Sequence, residues 1–166
     1  MSGRLLLAFL LALSAGARTV AAQEAGIPLG AQAPVVSVRD LEGKSVDLGQ
    51  YIGKKPVFLE FWATWCELCE ELLPRVRAAQ KAYGAEVEFF GVNVAVNQSR
   101  DRVRRYLETH QPPFRTLYDD EGVSTRAYQA PATSYVVIVD RSGKVAYTGT
   151  GGTQDIIAVL RRVTDR

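Results

Sequence analysis

Cysteine, histidine and methionine are scarce in this chain of 166 residues, which has two cysteines, one histidine and one methionine. Two cysteines are too few for the disulfide framework that stabilises many small secreted domains. The chain must therefore bury a hydrophobic core, and its 47% of hydrophobic residues suffice for one domain. It contains no internal repeat and no low-complexity segment.

The chain also lacks an apolar run long enough to cross a membrane. The apolar run at 5–13 is about half of the ~20 residues that a crossing needs, and Arg18 interrupts any extension. With Arg4 before it and small residues at 20–22 after it, the run is typical of a secretory signal peptide. We therefore expect residues 1–22 to direct export to the periplasm, with an uncleaved membrane anchor as the weaker alternative. No cysteine follows the cleavage site, which argues against a lipid anchor.

An excess of charge of either sign is absent as well. The 20 basic residues outnumber the 18 acidic ones by two, and the two arginines of the signal segment account for that difference. The exported protein is therefore close to neutral, which argues against binding to nucleic acid or anionic lipid. Four arginines between 100 and 105 are interleaved with acids, and we interpret them as one solvated helix face.

The hydrophobic pattern and the turn residues predict an alternating order of strands and helices. In chain order, the predicted elements are a hairpin turning at 42–43, a buried strand at 57–63, a helix from Cys66 to Gly84, a strand at 87–96, a helix from Ser99 to His110, a short strand at 114–119, a helical turn at 122–128, a hairpin turning at 141–143 and a helix at 154–163. The early strand–helix–strand units require parallel pairing and the late hairpin requires antiparallel pairing. We therefore expect an α/β fold with a mixed central sheet and helices on both faces.

The two cysteines, Cys66 and Cys69, lie in the segment FWATWCELCEEL, where the first buried strand ends and a helix begins. A disulfide across so short a loop removes little entropy from the unfolded chain, so a disulfide that serves only to stabilise the fold is a weak interpretation. Zinc needs about four ligands, and the single histidine, His110, is distant in sequence. A redox pair fits best, because the helix N-terminus stabilises a thiolate at Cys66. We expect an exposed Cys66 that attacks and a deeper Cys69 that resolves the mixed disulfide.

This segment resembles the active-site segment of the thioredoxin superfamily, and FWATWC followed by an acid is typical of its exported TlpA-like or ResA-like thiol-disulfide oxidoreductases. The resemblance begins at about residue 33, and it includes a helix-kinking proline, matched by Pro74. It implies a thioredoxin fold with four or five core strands, an N-terminal β-hairpin, and a TlpA-type insertion after the second core strand, matched by residues 99–118. We therefore expect residues 23–33 to lead into a thioredoxin-like domain at 34–166.

Glu60 interrupts the apolar pattern of the first buried strand, six residues before Cys66. The resemblance implies a buried acid here, behind the second cysteine. Burial would raise the pKa of Glu60, so that it could exchange a proton with Cys69 during resolution. A glutamate that reaches solvent at the strand end is the alternative.

The residues around Cys66 depart from the family pattern. Leu68 stands where most relatives have proline, which alters the redox poise in a direction that the sequence leaves open. Glu67, Glu70 and Glu71 surround Cys66 without a basic neighbour, and their charges disfavour a thiolate. The sequence therefore predicts a centre that tends to act as a reductant.

The loop opposite the cysteines departs from the pattern as well, because the family implies a cis-proline directly before the penultimate core strand. Pro131 offers a proline, but the usual strand length counted back from Asp140 ends at Ser134. Either Pro131 is cis, or Ser134 fills the position and Thr133 presents its backbone, which the spacing slightly favours. In both cases we expect residues from Ala130 to Ser134 to face the cysteines and to pair with a bound peptide.

We expect an exported thiol-disulfide oxidoreductase that reduces protein disulfides with no cofactor besides its own dithiol. Trp65, with Glu67 and Leu68, is expected to form a rim that contacts the substrate. The expected partners are a disulfide-containing protein as substrate and a membrane thiol reductant as electron donor, with no nucleic acid, and we expect a monomer. The resemblance implies a role in the maturation of cytochrome c or metalloproteins.

Two alternatives remain at this point. A copper-binding chaperone module on the same fold would usually add methionine or histidine ligands, and the exported chain has no methionine and one distant histidine. A thiol peroxidase would need a threonine and an arginine beside one activated cysteine. Thr64 is present, without a clear arginine partner.

Overall fold

The structure, a computed structural model, describes residues 25–165, so the predicted signal peptide lies outside the described residues. Its elements, in chain order, are β1 (Ser37–Asp40), β2 (Ser45–Asp47), β3 (Val57–Trp62), α1 (Glu67–Tyr83), β4 (Glu88–Asn93), α2 (Arg100–His110), β5 (Arg115–Tyr118), α3 (Val123–Ala127), β6 (Tyr135–Val139), β7 (Val145–Gly149) and α4 (Ile156–Thr164). This is the predicted order. Within residues 25–165, no helix has both the length and the apolar character needed to span a bilayer.

All seven strands form one mixed sheet, in the order β2-β1-β5-β4-β3-β6-β7. The pairs β3–β4 and β4–β5 are parallel, whereas the other four pairs are antiparallel. The resemblance implied four or five core strands. The N-terminal hairpin adds two more, because β1 pairs with β5 and places Arg39 opposite Tyr118.

Strand β3 is the centre of this fold, and all six of its residues are buried. Because side chains alternate along a strand, Phe58, Glu60 and Trp62 point to one face of the sheet and the other three point to the opposite face. Phe58 packs with residues of α1 and α4, such as Leu72 and Leu160. Both faces of β3 are therefore covered, as its continuous apolar pattern predicts.

Helix α1 begins five residues after β3 ends, and Cys66 is its N-cap. The apolar residues Leu72, Val76 and Ala79, which follow helical spacing, are buried, and the helix continues through Pro74 to its C-cap at Gly84. Leu68, one turn before Leu72, does not share this burial. Leu68 is 49% exposed, because the first turn of α1 lies beyond the end of β3.

Helix α2 and strand β5 form the predicted insertion between β4 and β6. The Ser99 hydroxyl accepts a hydrogen bond from the backbone N–H of Arg102 at 3.3 Å, which confirms Ser99 as the N-cap. Two of the interleaved arginines contact the turn of the N-terminal hairpin. Arg100 donates to the carbonyl of Asp40 at 2.7 Å, and Arg104 donates to the carbonyl of Leu41 at 2.7 Å. These bonds attach α2 to the hairpin.

Candidate active site

Cys66 and Cys69 form a disulfide at the junction of β3 and α1, with their Cα atoms 5.2 Å apart. The expectation of an exposed Cys66 above a deeper Cys69 does not hold for this oxidised form. The two residues are 4% and 5% exposed, because both pack into one cluster with Trp62 and Ala63. Residue exposure therefore does not distinguish an attacking sulfur from a resolving one.

The start of α1 places a backbone donor at the sulfur of Cys66. The backbone N–H of Cys69 donates to Cys66 Sγ at 3.1 Å, as an N-capping interaction. In the reduced protein, the same donor and the helix dipole would stabilise a thiolate. Glu67, Glu70 and Glu71 are all exposed, and none of the ion pairs found among residues 25–165 involves them. Their negative charges thus destabilise a thiolate at Cys66, against the effect of the capping N–H, although water and salt screen these charges.

Glu60 lies behind this pair, on the face of the sheet that α1 covers. Its side chain lines a small cavity together with Trp62, Cys69, Leu73 and Phe114. Burial raises the pKa of the Glu60 carboxyl from 4.5 to about 8, so at neutral pH most of it carries a proton. The predicted burial of Glu60 is confirmed, and the alternative of a solvent-reaching side chain is wrong.

Tyr106 of α2 also lines this cavity, and the sequence analysis did not single it out. Its ring packs against Trp62 at 5.3 Å and stacks on His110 at 3.8 Å, between ring centroids. Burial, followed by the charges of Glu70 and Glu60, raises the pKa of Tyr106 to about 12. Tyr106 therefore lies close to both the buried acid and an exposed one. Its helical spacing from buried Val103 was the signal that could have placed it here.

An apolar rim lies beside the cysteines, and we define it as Trp65, Leu68 and Val96. These side chains are 44%, 49% and 54% exposed, and they are three of the five exposed large hydrophobic residues among the described ones. Trp65 donates its indole N–H to the carbonyl of Val96 at 2.8 Å, which holds two members together. Trp62, in contrast, is a core residue. The rim is an exposed apolar surface beside the disulfide.

The loop from Ala130 to Ser134 lies at the same edge of the sheet as the cysteines. Strand β6 is antiparallel to β3 and pairs Tyr135 with Phe61, so Ser134 lies beside the carboxyl end of β3. Every peptide bond within residues 25–165 is trans, so a cis Pro131 is not what the structure contains. Ser134 directly precedes β6, as the spacing suggested. It is fully buried, with φ of 56°.

Comparison with known proteins identifies the family. The model of the Redoxin family matches residues 28–161. The chain belongs to the Redoxin family. It is 33% identical over 129 residues to the thioredoxin-like protein YneN of Bacillus subtilis, in an alignment that covers 77% of this chain and 75% of YneN.

Two further comparisons agree. The Redoxin chain is 32% identical over 137 residues to the thiol-disulfide oxidoreductase ResA of Geobacillus thermodenitrificans, over 81% of this chain and 77% of ResA. A crystal structure from Chlorobium tepidum, described as a thiol:disulfide interchange protein DsbE, superposes with a TM-score of 0.72 and 25% identity, over 84% of this chain and 97% of that one. This Redoxin protein is thus a thiol-disulfide oxidoreductase of the ResA type with a thioredoxin fold, as the resemblance implied.

The buried Glu60 predicts how the stability of the oxidised Redoxin protein depends on pH. Its pKa is about 8 in the folded protein, above the ordinary 4.5, so the folded form retains a proton that the unfolded chain has lost between these values. The stability that comes from this proton is complete below the unfolded-chain pKa of 4.5. It is lost as the pH rises through the folded-state pKa of about 8. Relative to Glu60→Gln, we expect the unfolding free energy of the wild type to fall by up to about 1.4 kcal/mol per pH unit across this window.

Urea denaturation of both oxidised proteins at several pH values measures this difference. The Glu60→Gln variant keeps the shape of the side chain without a titrating group, so it is the matched control. Parallel pH profiles for the two proteins would contradict a protonated, buried Glu60.

Proposed function

We propose that this Redoxin protein is an exported reductase of protein disulfides, in which Cys66 attacks and Cys69 resolves. The observation that carries the proposal is the Cys66–Cys69 pair at the start of α1, with a donor at Cys66 Sγ and the buried Glu60 in the cavity that Cys69 lines. The apolar rim beside the pair supports a protein as substrate, because a small disulfide would not need so wide a contact surface.

The proposed reaction transfers two electrons from the dithiol to the partner. The Cys66 thiolate attacks one sulfur of the partner's disulfide, which forms a mixed disulfide and releases the other sulfur as a thiolate, which takes a proton from water. Cys69 then attacks the sulfur of Cys66, which closes the Cys66–Cys69 disulfide and releases the second partner thiol. Glu60, ionised to the extent that its pKa of about 8 allows, takes the proton of Cys69 as that thiol attacks.

The proposed location and partners follow from the sequence. Residues 1–22 have the pattern of a signal peptide, so we place the protein in the periplasm, as a monomer. There a membrane thiol reductant would return electrons to the Cys66–Cys69 disulfide after each turnover. Family resemblance supports substrates among cytochromes c or metalloproteins whose cysteines must be reduced before they mature.

Cysteine variants test the proposed reaction. The assay measures how far each protein accelerates the reduction of insulin disulfides by dithiothreitol. We expect Cys66→Ser to abolish this catalysis because it removes the attacking sulfur. Cys69→Ser retains the attack but cannot resolve, so it should accumulate a mixed disulfide that gel electrophoresis without reductant detects. Cys66→Ser is its matched control, since no trapped species should form. Catalysis that survives Cys66→Ser would overturn the proposal, and the species trapped by Cys69→Ser in cells would identify the substrates.

The proposed proton transfer predicts a slower reaction for Glu60→Gln. We expect its rate of insulin reduction at pH 7 to fall by about 100-fold, because general acid–base groups typically contribute that much. Circular dichroism should show an unchanged fold, since glutamine has almost the same shape. Glu86→Gln, at an exposed acid beyond the C-terminus of α1, is the control and should keep the wild-type rate. An unchanged rate for Glu60→Gln would remove its proposed role.

The acids around Cys66 predict the direction of electron flow. Replacing Glu67, Glu70 and Glu71 by glutamine should stabilise the thiolate and shift the midpoint potential to more positive values. Because exposed charges contribute little individually, we expect a shift of about 10 to 30 mV, measured by equilibration with glutathione. The shift should shrink in high salt, and Glu86→Gln should leave the potential unchanged. A shift to more negative potentials would contradict the proposed effect of these charges.

A further inference from the structure

The loop before β6 holds a strained backbone without the constraint that a cis-proline would supply. Ser134 is fully buried and has φ of 56°, in the left-handed region that residues other than glycine rarely adopt. Pro131 is trans, exposed and three residues away. Other contacts must therefore hold the backbone at Ser134.

These contacts come from the segment between β7 and α4, residues 150–155. The side-chain amide of Gln154 donates to the carbonyl of Ser134 at 3.0 Å and to the carbonyl of Gly151 at 2.7 Å. The backbone N–H of Gly151 donates to the hydroxyl of Ser134 at 2.9 Å. Two hydrogen bonds thus link Ser134 to the segment at 150–155, and a third, from Gln154 to Gly151, lies within that segment.

The amide of Gln154 is itself fixed in one orientation. Gln154 is buried, and its side-chain oxygen accepts a hydrogen bond from the hydroxyl of Tyr147 at 3.1 Å. Both amide hydrogens are donated to carbonyls, so an amide with nitrogen and oxygen exchanged would lose these bonds. An apolar side chain of similar length would leave the carbonyls of Ser134 and Gly151 without this donor.

The same segment contacts the helix that carries the cysteines. Arg75 of α1 donates its Nε to the carbonyl of Gly152 at 3.1 Å. Gly152 also lies so close to Glu71 that a methyl group in place of its hydrogen would overlap the Glu71 side chain. Residues 150–155 therefore connect α1 to the loop that ends at Ser134.

From this arrangement we propose that Gln154 is a positioning residue, which holds the backbone of the loop 130–134 in place for a substrate peptide. This inference rests on the proposed function and adds to it the residue that holds the peptide-binding loop in place. Backbone groups of the loop, held at the edge where Cys66 lies, can pair with an extended segment of a partner protein. A small organic disulfide has no peptide backbone and cannot use such pairing.

The test compares two substrates of the reduced protein, insulin and 2-hydroxyethyl disulfide. For Gln154→Met we expect KM for insulin to rise about tenfold with kcat within twofold, because pairing of the peptide backbone is lost. The rate constant for 2-hydroxyethyl disulfide and the midpoint potential should stay unchanged. Thr153→Ala, at an exposed neighbour in the same segment, is the matched control and should behave as the wild type.

Three outcomes separate the possibilities. Equal losses on both substrates would mean that Gln154 supports the dithiol or the whole fold, which would overturn the inference. An unchanged KM for insulin would overturn it too, while the proposed function stands. A wild type that reduces neither substrate would instead overturn the proposed function. Tyr147→Phe removes only the bond that orients Gln154, and it should raise KM for insulin by a smaller factor. It decides the question if Gln154→Met fails to fold.

Discussion

The burial of β3 between β4 and β6 constrains everything that the cysteines and Glu60 can do. Alternation along this strand directs Glu60 and Trp62 to the face that α1 covers, and the short connection at 63–66 returns the chain over that face. Cys69, in the first turn of α1, therefore lines the same cavity as Glu60. The burial that fixes the dithiol also keeps a proton on the carboxyl. One packing constraint thus sets both the geometry and the protonation state of the site.

The insertion after β4 completes this cavity on its remaining side. Tyr106 and Phe114 both line the cavity and pack against Trp62, and they exclude water from the carboxyl of Glu60. The insertion is in turn held by Arg100 and Arg104, which bind backbone carbonyls of the N-terminal hairpin. The insertion and the N-terminal hairpin together therefore maintain the low-dielectric surroundings on which the raised pKa of Glu60 depends.

The elements and their order could be predicted from the sequence, because local signals specify them. The cap at Ser99, Gly84 after α1 and the lone acid in β3 each have a physical reason that neighbouring residues reveal. Val96 and Gln154 could not be placed in the same way, because their importance comes from contacts with residues distant in sequence. Leu68 illustrates the same limit: periodicity assigns a residue to a face of the helix, whereas its 49% exposure depends on where the sheet ends.

The acids of α1 stabilise the helix and destabilise a thiolate at the same place. Glu67 and Glu70 lie in the first turn, where negative charge interacts favourably with the helix dipole. A thiolate at Cys66 would compete for the same N-terminal field and be repelled by both carboxylates. The disulfide carries no charge, so the oxidised protein keeps the helix stabilisation without the repulsion. These residues therefore stabilise the disulfide form relative to the reduced form. This supports the proposal that the protein gives electrons to its partners.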